Sequence, residues 1–126
     1  MDSQNTRLLK GIDTVIVRVS DIDTSKTWYR DKLGLTPIWD DPEMKLVVLD
    51  TDGPTSLTLW ETDKKVNVNM DTATYPIFKT QDATSVRKEL DSRGIKVGDI
   101  IQDDFVKYFF FFDPDGNVLE ACQVLE

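Results

Sequence analysis

Alternation of apolar and polar positions predicts a strand near the start of the chain and a hairpin near its end. Residues 12–19 alternate and are rich in β-branched side chains, which is typical of a half-buried strand. Residues 108–123 read as two apolar arms joined by Asp113-Pro114-Asp115-Gly116, where proline fixes the first turn position and glycine accepts a positive φ. In that pairing, one face of the hairpin carries Tyr108, Phe110, Phe112, Val118, Glu120 and Cys122.

Two helices are predicted at corresponding places in the chain. Each begins at an aspartate, Asp21 or Asp82, whose carboxylate can cap the first turn. Each ends at a glycine, Gly34 or Gly94, which accepts the left-handed conformation that commonly stops a helix. Further strands are expected at residues 36–41, 44–49, 56–61, 75–80 and 95–102.

The order of elements occurs twice, which indicates an internal repeat. Strand, aspartate, helix, glycine and three strands appear first in residues 11–62 and again in residues 74–124, with a polar linker at 63–73. Neither half can bury both faces of its own sheet. We therefore expect one α+β domain over residues 1–126, in which two βαβββ modules form a curved mixed sheet around a concave cleft, with the helices outside.

Composition narrows the possible functions. Fifteen basic and 23 acidic residues give a net charge of −8, which disfavours nucleic acid as a partner. No apolar run approaches the ~20 residues that span a membrane, and no secretory signal precedes the first strand. A single cysteine, Cys122, cannot form an internal disulfide, so a cytoplasmic protein is expected. The chain has no histidine, which is the commonest metal ligand and general base.

Two segments resemble a known superfamily. The first is IDTVIVRVSDIDTSKTWYRDKLGL, which is similar to the opening of vicinal oxygen chelate proteins, and the second is FFDPDGNVLEACQ, which is similar to their closing strand. That superfamily includes glyoxalases, bleomycin resistance proteins and extradiol dioxygenases. The resemblance extends over residues 10–124 and implies a fold that carries many functions. It also implies a homodimer, because members commonly dimerise, some by exchanging halves.

In metal-using members, four strand positions supply the ligands in the cleft, usually histidines and glutamates. The resemblance implies that these positions fall on Thr14, Thr58, Tyr75 and Glu120, of which only Glu120 keeps a ligand type. The placement of Thr58 depends on a one-residue gap, and a different gap brings Glu61 nearer, although alternation turns Glu61 towards the helix side or the rim. Because neutral hydroxyls are poor ligands for transition metals, we expect no metal and no other cofactor.

Four functions stay open, and whether the chain is an enzyme is undecided. We favour a metal-free protein that binds a small molecule, for example to sequester a drug or metabolite. The alternatives are a metal-free isomerase-like or lyase-like enzyme with Glu120 as acid or base, a metal-dependent glyoxalase-like or dioxygenase-like enzyme, and a regulatory module. The candidate ligand-binding residues are Thr14, Arg18, Thr58, Trp60, Tyr75, Tyr108, Phe110 and Glu120.

Each candidate also has a plain structural explanation. The aromatic side chains can simply pack in the core, Arg18 can be the exposed end of a strand, and Glu120 can lie on a solvated strand face. If Glu120 instead lies in the cleft, desolvation among aromatic rings is expected to raise its pKa. A donor from Tyr75 or a charge from Arg18 would oppose that rise.

Overall fold

The computed structural model describes residues 7–126, and within them two helices and eight strands follow one another in the predicted order. The predicted domain spans residues 1–126, but its first six residues lie outside the described part of the chain. The elements are β1 (Thr14–Val19), α1 (Ile22–Leu33), β2 (Thr36–Asp41), β3 (Leu46–Asp50), β4 (Ser56–Glu61), β5 (Ile77–Lys79), α2 (Ala83–Ser92), β6 (Ile101–Gln102), β7 (Val106–Phe112) and β8 (Val118–Val124).

The strands form two four-stranded mixed sheets, ordered β1-β4-β3-β2 and β5-β8-β7-β6. In both sheets the first strand of the module runs parallel to the last, and the other neighbours are antiparallel. The two sheets therefore repeat one βαβββ topology, as the sequence repeat predicts. Within residues 7–126 no strand pairing joins the sheets, so the modules are two separate hydrogen-bonded ladders and not one continuous sheet.

The helices begin and end at the predicted residues. The side chains of Asp21 and Asp82 each accept a backbone N–H from three residues further on, at 3.0 Å. Gly34 and Gly94 follow the helices with φ of 75° and 80°, a conformation that a side chain would strain. Neither helix in the described part of the chain is long and apolar enough to cross a membrane.

The helix-facing sides of both sheets share one hydrophobic core. Alternation along β7 divides its aromatic run, because Phe109 and Phe111 are buried in this core while Phe110 faces the other way. Tyr29 of α1 is fully buried between the modules. The core includes Val17, Val19, Val47, Leu49, Leu57, Leu59, Leu90, Ile95, Leu119 and Ala121.

Four predicted strands are shorter in the structure, and two of them keep at most half of their predicted length. The segment predicted as a strand over residues 95–102 pairs regularly only at β6, because Gly98 lets the backbone approach Phe110 closely and donates to its carbonyl at 2.7 Å. The strand predicted over residues 75–80 begins only at Ile77, since Pro76 has no N–H to donate to a ladder.

The turn of the closing hairpin joins the second module to the first. The Tyr29 hydroxyl donates to Asp113 at 2.7 Å, and the backbone N–H of Ser20 donates to Asp115 at 3.1 Å. The side-chain amide of Asn117 donates to the Arg18 carbonyl at 2.9 Å. This turn therefore fixes how the C-terminal end of β1 and helix α1 meet the second sheet.

Candidate functional site

The closing hairpin brings the predicted site residues of the second module onto one face of its sheet. The hairpin has the predicted register, with Phe110 opposite Glu120 and Tyr108 opposite Cys122. The rings of Tyr75 and Tyr108 each lie edge-on to Phe110, with 5.8 Å between centroids. Glu120 is therefore the carboxylate in the middle of an aromatic surface.

Glu120 is only 6% exposed, which excludes the alternative of an ordinary residue on a solvated strand face. Burial raises the pKa of its carboxyl group, and the neighbouring Tyr75 side chain works against that rise. Burial and the negative charge of Glu120 in turn raise the pKa of the Tyr75 phenol. The site thus holds a carboxyl group whose neutral form is favoured more than in water, beside a phenol that stays a hydrogen-bond donor.

The first module offers a pair of hydroxyl groups at the corresponding place. The Oγ1 atoms of Thr14 and Thr58 lie 2.7 Å apart, and Thr14 also donates to the Ser56 carbonyl at 3.1 Å. Because a hydroxyl has one hydrogen, Thr58 is the donor of the pair. These threonines lie in a shallow cavity of about 450 Å³, whose lining also includes Trp39 and Val48.

Arg18 and Trp60 form a stacked pair on the same face of the first sheet. The guanidinium carbon of Arg18 lies 4.5 Å from the centre of the Trp60 ring. Its Nε and Nη2 atoms donate to the carbonyls of Trp60 and Glu61, each at 3.1 Å. Trp60 itself donates through Nε1 to the Met44 carbonyl at 3.2 Å. Arg18 is therefore exposed near the end of β1, as its plain explanation expects, while these contacts fix the position of its guanidinium group.

The register supports the predicted alignment of the two halves, including its one-residue gap. Thr58 lies opposite Ile16 on the parallel partner strand, as Glu120 lies opposite Ile77. Glu61 instead accepts the Ile22 N–H at 3.0 Å at the start of α1, where that bond lowers its pKa. Glu61 is thus on the helix side, as alternation indicated.

The predicted site residues form two groups. Within residues 7–126 no side-chain hydrogen bond or ring pair joins the threonines and the stacked pair of the first module to Glu120 and the aromatics of the second. Arg18 and Tyr75 do line one common cavity of about 420 Å³, at the junction of the modules. A single chain therefore presents two half-sites that approach each other at this cavity.

The residues at the four ligand positions do not fit a transition metal. Thr14 and Thr58 bind each other, Tyr75 is a phenol with a raised pKa, and Glu120 is the lone carboxylate. The described residues contain no group of three or more histidine, cysteine, aspartate or glutamate side chains placed to hold a metal ion.

Sequence reasoning missed part of the site. It gave no role to Trp39, which is 61% exposed and lines the same cavity as the threonine pair. Exposure is a property of the folded chain, and a tryptophan in a short predicted strand does not reveal it. It also treated residues 63–73 only as a linker, whereas residues 64–69 form one wall of the junction cavity. Val66, Val68 and Met70 alternate with asparagines in and beside that segment, yet it forms no strand in the structure, so this local pattern does not predict its contact with β1 and β8.

The sequence profile of the Glyoxalase/Bleomycin resistance protein/Dioxygenase superfamily matches residues 11–121. The chain therefore belongs to this superfamily. Among proteins with curated descriptions, none matches the chain significantly.

Solved structures show the same fold. A glyoxalase family protein from Enterococcus faecalis is 28% identical, with a TM-score of 0.75 over 93% of this chain and 100% of that one. TnmS3, an antibiotic binding protein from Streptomyces sp. CB03234, is 22% identical, with a TM-score of 0.77 over 95% and 100%. Lactoylglutathione lyase from Agrobacterium tumefaciens is 18% identical, with a TM-score of 0.74 over 93% and 96%.

Proposed function

We propose that the protein is a metal-independent, cytoplasmic small-molecule binding protein of the bleomycin-resistance type. The observation that carries this proposal is Glu120, a buried carboxylate among the rings of Tyr75 and Phe110 that lacks the companion ligands of a metal site. A mostly apolar surface with one polar anchor is typical of sites that bind drug-sized molecules. The antibiotic-binding neighbour TnmS3 supports the same class of function on this fold.

The proposed site is completed by a second copy of the chain. Each chain presents an open face on both sheets, and a homodimer that sets the first sheet of one copy against the second sheet of the other would enclose a ligand. Support comes from the exposed apolar residues on these strands, which include Ile16 at 51% and Ile77 at 55% exposure. Nucleic acid is not a proposed partner, because the net charge of −8 repels phosphates.

Thermal-shift screening of a metabolite and drug library, with elemental analysis of the purified protein, tests this function. A binder gains thermal stability from a ligand that it does not consume, and we expect Glu120→Gln to weaken that gain. Glu43→Gln is the matched control, because Glu43 lies in an exposed turn. About one zinc, nickel, iron or manganese per chain after dialysis would overturn metal independence. A screen without any stabilising compound would count against the binding function.

A metal-free enzyme is the second candidate, and the raised pKa of Glu120 beside the Tyr75 phenol favours it. A carboxyl group that exchanges its proton closer to neutrality suits acid–base catalysis. If the protein is an enzyme, a compound that stabilises it in the screen should be converted to a product. The Glu120→Gln variant should still bind that compound but should no longer convert it. Unchanged conversion by Glu120→Gln would remove this candidate.

A further inference from the structure

The cavity at the junction of the modules is unlike the rest of the molecule in its charge. Its volume is about 420 Å³, and it is bounded by β1, the segment from Thr62 to Pro76, and the start of β8. Its described lining contains three cations, Arg18, Lys64 and Lys65, and no aspartate or glutamate. On a chain with a net charge of −8, this is a local concentration of positive charge.

Arg18 is oriented for binding by contacts that leave much of its guanidinium group free. Two of its five N–H donors are used on the carbonyls of Trp60 and Glu61. Asn117 also holds the backbone of Arg18 through a hydrogen bond of 2.9 Å to its carbonyl. A guanidinium group fixed in this way loses little freedom when its remaining donors meet a carboxylate.

The remaining lining is largely apolar. Ile16 is half exposed, and the rim of the linker contributes Val66 and Val68. Tyr75 and Val118 complete this surface from the second module. The volume is within the range of sites for drug-sized molecules. A ligand matched to the cavity therefore combines an apolar or aromatic body with a negative charge at one end.

We propose that this cavity binds small organic anions, specifically carboxylates that carry an aromatic or aliphatic body, with Arg18 as the group that pairs with the carboxylate. The positive charges of Lys64 and Lys65, on the exposed linker, also attract the carboxylate. Neither lysine makes an ion pair with a described residue. The inference rests on the proposed small-molecule binding function and names its ligand class. It also gives residues 64–69 a role in binding that extends beyond connecting the modules.

The test uses three probes with the same ring system, namely 1-naphthylacetate, the neutral 1-naphthylacetamide and the cationic 2-(1-naphthyl)ethylamine. Titrations of the full-length protein at low and moderate salt should show the acid binding about tenfold more tightly than the amide. The amine should bind more weakly than either. In Arg18→Gln the preference for the acid over the amide should fall to about threefold, the part that Lys64 and Lys65 supply, and in Arg18→Lys it should be reduced by less.

Two further variants separate a binding effect from a folding effect. The double variant Lys64→Gln/Lys65→Gln changes only exposed linker residues. It should weaken the binding of 1-naphthylacetate about threefold and make that binding less dependent on salt concentration. Lys88→Gln removes one exposed charge from α2 and should leave all three titrations unchanged. Thermal unfolding of every variant shows whether a loss of binding reflects a loss of structure.

The outcomes distinguish this inference from the proposed function. Equal binding of acid and amide, or a preference for the acid that is undiminished in both Arg18→Gln and the double lysine variant, would overturn the assignment of anions to this cavity. If no naphthyl probe binds but a library compound binds in a manner dependent on Glu120, the cavity inference fails and the binding function stands. If nothing binds, both fail.

Discussion

Glu120, the proposed anchor of the site, is a buried carboxyl group whose charged form is unfavourable for the stability of the fold. The side chain is 6% exposed, and burial raises the pKa of the carboxyl group because the aromatic surroundings solvate its charge poorly. The neighbouring Tyr75 compensates in part by lowering that pKa. An apolar residue at this position would not carry such a penalty, and this supports our proposal that the carboxylate serves ligand binding.

We expect Glu120→Gln to stabilise the protein at pH 7, by about 1 kcal/mol, because glutamine is never ionised. The pKa of Glu120 is higher in the folded protein than in the unfolded chain. Its protonated side chain therefore makes its full contribution to stability at pH values below the unfolded-state pKa. That contribution is lost as pH rises through the folded pKa. The advantage of the variant should therefore shrink as pH falls from 7 towards 4.

Urea unfolding of wild type, Glu120→Gln and the exposed control Glu43→Gln across that pH range would measure this effect. Comparison with wild type at each pH removes the contribution of Asp113, whose pKa burial also raises. A variant that is less stable than wild type at pH 7 would show that the ionised carboxylate is held by favourable contacts.

Single elements were predictable wherever a local signal decides the structure. The two helices have an aspartate cap and a glycine stop, and the hairpin has a turn sequence, so their bounds follow from residues within a few positions of each end. The region of residues 95–102 was predicted less well, because its backbone follows contacts with β7 around Gly98. The junction cavity was not predictable, since its linker wall meets β1 and β8 only through tertiary packing.

Gly34, at the C-terminal end of helix α1, allows a direct test of what ends the helix. Gly34 has φ of 75°, and a β-carbon there would meet no atom within 4 Å, so only backbone strain opposes a side chain. We expect Gly34→Ala to lower the free energy of unfolding by about 1 kcal/mol. Gly53→Ala is the control, because Gly53 lies outside the left-handed region and its added β-carbon would make an ordinary contact at 3.7 Å. Equal losses in both variants would contradict a conformational cause.

The contact between α1 and the hairpin turn is the second element-scale test. Tyr29 is fully buried and donates to Asp113, and burial together with that carboxylate raises the Tyr29 pKa, so the phenol keeps its proton. Tyr29→Phe leaves a buried carboxylate with one donor fewer, and we expect a loss of about 1–3 kcal/mol.

A double-mutant cycle with Asp113→Asn isolates the pairwise energy. Asp113 also accepts from Asn117 and Asp115, so the asparagine variant keeps some of its local bonds. Losses that simply add in the double variant would mean that the Tyr29–Asp113 bond contributes nothing to the joining of the modules.

At the scale of the whole molecule, the core and the site face opposite ways. The helix-facing sides of the two sheets are buried together, whereas their other faces hold both half-sites and leave apolar side chains exposed around the buried Thr58 and Glu120. An open apolar sheet face is unfavourable in water and is commonly covered by a partner. The exposed apolar residues of the strands are Ile16, Ile38, Trp39, Ile77, Ile101 and Val124.

We therefore predict a homodimer at micromolar concentration, with light scattering giving twice the chain mass of 14.4 kDa. Trp39→Glu and Ile77→Glu each place a charge on one open face, and either should shift the protein towards monomer, because an unpaired charge resists burial. Phe105→Glu is the matched control, since Phe105 is 74% exposed in the turn between β6 and β7. If the two half-sites meet across the dimer, ligand-induced thermal stabilisation should fall together with dimerisation in both variants. A wild-type monomer that binds ligand with full stabilisation would show that one chain forms the site alone.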